Sequence, residues 1–170
     1  MKKSVLMITI LSMTVIFCSC SIGISNTSKA SENLERNLSS NYENLNKLPQ
    51  EYSPELAQKN GDVVRVNGIV YNVEKLDKLI ENTKIINADM IRITTYTDEG
   101  DAIIYDLIKS AGGFELTVDN TRDKFSSKQD RKIREYDITD ISKQNANGGT
   151  TYIAKNDKGI DIPFLFINSK

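Results

Sequence analysis

Histidine and tryptophan are both absent from the 170 residues. Without histidine the chain can build no Ser-His-Asp triad, no imidazole general base and no histidine metal site. Cysteine occurs twice, at Cys18 and Cys20, too few for a cysteine-rich zinc site. An excess of charge of one sign is also lacking: 22 Lys and Arg nearly balance 23 Asp and Glu, leaving −1. That balance argues against a strongly cationic nucleic-acid binder, and no nucleic-acid partner is expected. What remains, 39% hydrophobic and 26% charged residues, is the mixture of a soluble globular domain. The length suits one such domain with little left over.

The first segment reads as an address. Lys2 and Lys3 precede an apolar run from Val5 to Phe17, broken only by Thr9, Ser12 and Thr14. The run is shorter than the ~20 residues of a membrane-spanning helix. It has the length and flanks of a signal-peptide core. It ends in Phe17-Cys18-Ser19-Cys20, where a small residue directly before a cysteine resembles the bacterial lipobox. Ser19 fits the position before cleavage and Cys20 the lipidated residue; Cys18 fits less well, because Phe17 would occupy the small-residue position. A plain secretory signal and an uncleaved anchor are the alternatives. On the lipoprotein reading residues 1–19 are a signal peptide, and losing Lys2 and Lys3 takes the formal charge from −1 to −3. The mature body then has no free thiol, so neither a disulfide nor thiol chemistry is expected. Two acyl chains on Cys20 suffice to anchor the protein at the extracytoplasmic face of the cell membrane.

Residues 20–50 are rich in Ser, Asn, Glu and Lys and read as a flexible tether, because so few apolar groups cannot offset ordering entropy. Leu34, Leu38, Leu45 and Leu48 mark at most a weak helix, ended by Pro49. A single domain is expected over 51–170. Ser53-Pro54-Glu55 supplies a capping hydroxyl, a first-turn proline and an early acid, and Asn60-Gly61 closes that short helix. Val63 to Tyr71 reads as a strand interrupted by a tight turn or bulge at Asn67-Gly68. Asn72 is placed to cap a helix over Val73–Lys84, with Val73, Leu76, Leu79, Ile80 and Thr83 on one face. Glu74 and Lys78 are spaced for an exposed ion pair worth ~0.3 kcal/mol.

From Met90 the period changes to two. Runs through Ile91–Tyr96, Ile103–Leu107 and Phe114–Val118, separated by Asp98-Glu99-Gly100-Asp101 and Gly112-Gly113, predict an antiparallel meander. Further strands are expected over Ile133–Ile141, Thr150–Ala154 and Ile160–Ile167. The fold class is α+β: an antiparallel β-sheet covered on one face by one amphipathic helix, with a short N-terminal helix and a second sheet face open to water.

Several blocks occur together in order: Lys59-Asn60-Gly61-Asp62-Val63-Val64, Asn72-Val73-Glu74-Lys75-Leu76-Asp77, Ile91-Arg92-Ile93-Thr94, Tyr96-Thr97-Asp98-Glu99-Gly100-Asp101 and Asp119-Asn120-Thr121-Arg122-Asp123-Lys124-Phe125. Over roughly Pro54–Phe125 the chain resembles the domain of unknown function 4362 family, small lipoproteins of Bacillus-type Gram-positive bacteria. The resemblance implies an envelope location and carries over no catalytic or binding residue. Relatives often have proline after the Gly-Asp turn, where this chain has Ala102. Some carry cysteines in the last third that are missing here, so no stapled C-terminal hairpin is expected.

Four constellations could carry chemistry. Asp119, Thr121, Asp123 and Asp130 fall at positions one, three, five and twelve of an EF-hand-like loop. Lys124 stands where such a loop needs glycine, and a short Asp replaces its bidentate Glu, so a polar turn capping its own backbone is the stronger reading. Asp98, Glu99 and Asp101 could act as paired carboxylates, but adjacent groups on an exposed turn have no cause for shifted pKa values. Arg92, Arg122, Lys124, Arg131 and Arg134 could form an anion-binding patch, with Arg122 foremost because flanking acids could orient its guanidinium. Tyr96 and Tyr105 could offer a stacking surface on the sheet. The candidate binding residues are therefore Arg122, Arg92, Tyr96, Asp119 and Asp123. No catalytic residue, metal or cofactor is expected. The function expected is a non-catalytic binding or interaction module that meets the membrane through its lipid and an envelope protein or ligand through its domain. A carboxylate-dependent enzyme acting on an envelope substrate, or an accessory or inhibitory subunit of a membrane protein, is the alternative.

Overall fold

A computed structural model describes residues 42–83, 87–146 and 148–169. The signal segment 1–19, the lipidation residue Cys20 and the tether up to residue 41 lie outside the described residues. The fold is α+β, built on one curled, mixed eight-stranded sheet with two helices.

A single 3₁₀ turn, Leu45–Lys47, precedes helix α1, Pro54–Lys59. Ser53 caps α1 by accepting from the Leu56 N–H at 3.3 Å, and Pro54 fills the first turn where no N–H is needed. Strands β1, Val63–Val66, and β2, Ile69–Tyr71, form a hairpin across Asn67-Gly68, both at positive φ of 50° and 76°, the conformation a two-residue turn requires. Helix α2, Val73–Glu81, then crosses over to β3, Asp89–Tyr96, which pairs parallel with β1. The remaining strands are β4, Ala102–Ser110; β5, Gly113–Asp119; β6, Ile133–Ala146; β7, Gly149–Asn156; and β8, Asp161–Asn168. Each pairs antiparallel with its predecessor, giving the order β2-β1-β3-β4-β5-β6-β7-β8. The curl brings the two ends together: Arg65 of β1 donates to the Phe166 carbonyl of β8 at 2.9 Å and lies over that ring.

The main core lies on one face, where Leu76 and Leu79 of α2 pack with Val63, Ile91, Ile93, Leu107 and Leu116. The other face of β3 and β4, expected to be wet, is covered as well. Leu48, Tyr52 and Ala57 pack there against Val64, Tyr96, Ala102 and Ile104 in a second apolar cluster. The residues before Ser53 are the reason. Tyr42–Tyr52 runs over this face as a strap, so residues 42–50, which the sequence places in the tether, pack onto the domain. Burying Leu48 to 7% exposure contributes roughly 1.5–3 kcal/mol.

Three local expectations are corrected. Asn72 makes no side-chain cap on α2; it sits in the left-handed region and donates instead to the Asp62 carbonyl at 2.8 Å. The helix ends at Glu81 rather than Lys84, because Lys109 of β4 reaches across and donates to the carbonyls of Leu79, Ile80 and Asn82 at 2.7–2.9 Å. That ammonium satisfies carbonyls that end the helix and offsets its negative pole. Glu74 and Lys78 form no ion pair among the described residues, and Lys78 lines a cleft.

Candidate functional site

Beneath the strap lies a layer of buried polar groups. Arg92 and Asp106 stand directly opposite on β3 and β4 and meet in a bidentate pair at 2.6 and 2.7 Å, with Arg92 only 1% exposed. Two parallel charge-assisted bonds are the arrangement that offsets the desolvation of both ions. Beside this pair Asp62, the residue just before β1, is fully buried. Its Oδ2 accepts from the Thr94 hydroxyl at 2.7 Å and from the Tyr52 phenol at 2.9 Å, while its Oδ1 has no partner. Burial pushes the Asp62 carboxyl up to about 6, against the pull of the Thr94 and Tyr52 hydrogen bonds and the Arg92 charge. Tyr52 is pushed up to about 12 by burial and by the Asp62 carboxylate.

Tyr42 closes one end of this layer. Its ring lies over the Arg92 guanidinium at 5.3 Å and its hydroxyl donates to the Gly61 carbonyl at 3.3 Å. On its other side Tyr42 lines a cleft of about 660 Å³ between α2, the end of α1 and the start of β3, a volume suited to a small ligand. Lys75, Lys78, Leu79 and Asn82 line it from α2 and its end, Asp89, Met90 and Ile91 from β3, and Asn60 and Gly61 from the end of α1. The Gly61 carbonyl also accepts from Lys75 Nζ at 2.9 Å, so one backbone oxygen sets both the lysine and the tyrosine at the cleft. Gly61 is held at φ 87°, a conformation that favours glycine, and a Cβ there would press on that ammonium at 3.3 Å.

The residues singled out from the sequence do not converge. Arg92 belongs to the buried pair. Arg122 is a clamp: it pairs with Asp119 at 2.5 Å and donates to the carbonyls of Pro49, Leu45 and Leu48 at 3.1–3.3 Å. Asp119 is thereby consumed; its other oxygen takes the Thr121 N–H and hydroxyl. Asp123 caps the N–H groups of Phe125 and Ser126, and Asp130 bonds Ser127. The EF-hand-like positions thus point to separate partners, and among the described residues no group of three or more acidic or cysteine side chains is placed to hold a metal. The basic patch is not assembled either. Lys124 pairs with Glu51 and Asp101, Arg131 donates to the carbonyls of Ser126 and Lys124, and Arg134 meets Asp130 and Asn120. Tyr96 is buried, donating to the Tyr52 carbonyl at 2.9 Å, and Tyr105 tilts against Phe164, so they present no shared stacking surface.

Sequence reasoning missed Tyr42, Tyr52, Asp62, Lys75 and Lys78. Only Asp62 left a signal, as an acid opening an apolar strand. Lysines on the polar face of a helix look identical whether they meet water or a cleft.

A family model described as Domain of unknown function (DUF4362) matches residues 60–153. No curated protein and no solved structure matches the chain. The matched segment holds Gly61, Asp62, both cleft lysines, Arg92 and Asp106, and stops short of the strap and β8.

Proposed function

The chain belongs to this family of domains of unknown function, and from that premise we propose that it is a non-catalytic binding module held by lipid at the extracytoplasmic face of the cell envelope. The cleft beside α2 carries the binding half of this reading. It is open, of ligand size, and lined by two lysines, an acid, two asparagines, an aromatic ring and apolar side chains. The acids nearest to it in the polar layer lie under the strap and out of its reach: Asp106 is paired with Arg92, and Asp62 is fully buried with Oδ2 held by Tyr52 and Thr94. The anchoring half is supported by Lys2, Lys3, the apolar run and the Ser19-Cys20 junction.

Two measurements test the reading. In a Gram-positive host the full chain should fractionate with membranes and Cys20→Ser should be released, since the lipid is then the only anchor; retention of a cleaved Cys20→Ser form refutes anchoring. A mixed panel of small envelope solutes, followed by amide shifts at Lys75, Lys78 and Met90, should give saturable changes with every compound recovered intact. Consumption of a compound, lost in Asp62→Asn, would instead establish the carboxylate enzyme.

A further inference from the structure

Resting on the cleft as a binding site, we propose that it takes the phosphate group of a small organic phosphate ester, held between Lys75 and Lys78. The two lysines are three residues apart on α2 and so are neighbours on one helix face. Both line the cleft. Among the described residues neither forms an ion pair, whereas Lys124, Lys143, Arg92 and Arg122 each have an acid. Lys75 spends one N–H on the Gly61 carbonyl and keeps two, and Lys78 keeps three. A phosphate offers several oxygens and up to two negative charges, enough to accept from both ammonium groups at once.

The rest of the cleft selects an ester over a bare ion. Its volume of about 660 Å³ far exceeds what one phosphate fills, and Tyr42, Met90, Leu79 and Ile91 provide an aromatic and apolar lining for an organic body. Asp89, which lines the cleft from β3, has Oδ1 engaged by the Met90 N–H at 2.9 Å. Its charge repels an anion there, and so directs the phosphate to the helix side.

Phenyl phosphate and benzyl alcohol serve as charged and neutral probes of similar size, and phosphatidylglycerol vesicles as a lipid-headgroup probe, with the full chain in detergent for the soluble arms and its unlipidated Cys20→Ser form for the vesicles, so that the anchor itself adds no binding. Phenyl phosphate should bind saturably, weaken by about tenfold in each of Lys75→Gln and Lys78→Gln, and weaken with added salt. Asp89→Asn should tighten it, an outcome that misfolding cannot produce. Binding of phenyl phosphate alone assigns a soluble ester. Binding of the vesicles alone, lost in the double lysine variant, assigns a headgroup. Equal binding of benzyl alcohol, or phenyl phosphate binding unchanged in the double variant, overturns the phosphate assignment while leaving the cleft a binding site. Silence of every probe overturns the phosphate assignment, and together with silence across the solute panel it removes the cleft as a site.

Discussion

Asp62 is fully buried, and one of its carboxyl oxygens has no partner. A carboxyl raised from its ordinary 3.8 to about 6 is protonated more readily in the folded chain than in the unfolded one. The folded state therefore binds the extra proton between those values, and this group's contribution to stability is greatest in acid and falls as pH rises to about 6. For Asp62 alone the linkage gives about 1 kcal/mol more stability at pH 5 than at pH 7. Urea melts of the full chain and of Asp62→Asn across this range should differ by that increment, and parallel curves would show that the bare Oδ1 does not matter. The sequence shows an acid at this position but not its partners: Tyr52 is 10 residues away and Thr94 is 32. Arg122 was legible as a guanidinium with a nearby acid, and Asp119 is indeed that acid. Its other partners are backbone carbonyls, which no side-chain pattern encodes.

At the scale of elements, the pieces governed by local rules were legible. Ser53-Pro54 starts α1, Asn67-Gly68 turns the β1–β2 hairpin, and the apolar face of α2 meets the sheet through Leu76 and Leu79. The strap was not legible. Its composition is that of a tether, and its apolar and aromatic contacts come from Tyr42, Leu45, Leu48 and Tyr52, at spacings that match neither a helix nor a strand. What fixes it is remote, chiefly Arg122, more than 70 residues further along. Deleting residues 42–50 should cost about 3–5 kcal/mol, from roughly 2 kcal/mol for the buried Leu48, about half that for the half-buried Leu45, and the carbonyls stripped from Arg122. Arg122→Ala should cost about 3–5 kcal/mol by leaving Asp119 buried and unpaired. Chemical denaturation of both variants checks this; a change under 1 kcal/mol in either would mean the strap is only draped on the sheet. The wet second face failed for the same reason, since alternation reports which residues share a face and not what covers it.

Across the whole molecule, strands that follow one another in the chain were legible as a meander because each antiparallel pairing needs only a turn. The parallel β1–β3 pairing was not, since Val63–Val66 is short and buried on both faces, so it shows no clean alternation. The approach of the sheet's two ends leaves no sequence trace at all. Yet it has a consequence in time. Pairings from β3 to β8 close mostly short loops and can form in succession, whereas Arg65 and Phe166 are 101 residues apart and must wait until both flanks exist. Their contact belongs to the last stage of folding and the first of unfolding. Arg65→Met should therefore leave the refolding rate unchanged and speed unfolding about fivefold, the kinetic equivalent of one lost hydrogen bond of about 1 kcal/mol. Stopped-flow mixing reads both limbs, and slower refolding would place the meeting of the sheet's ends before the barrier instead of after it.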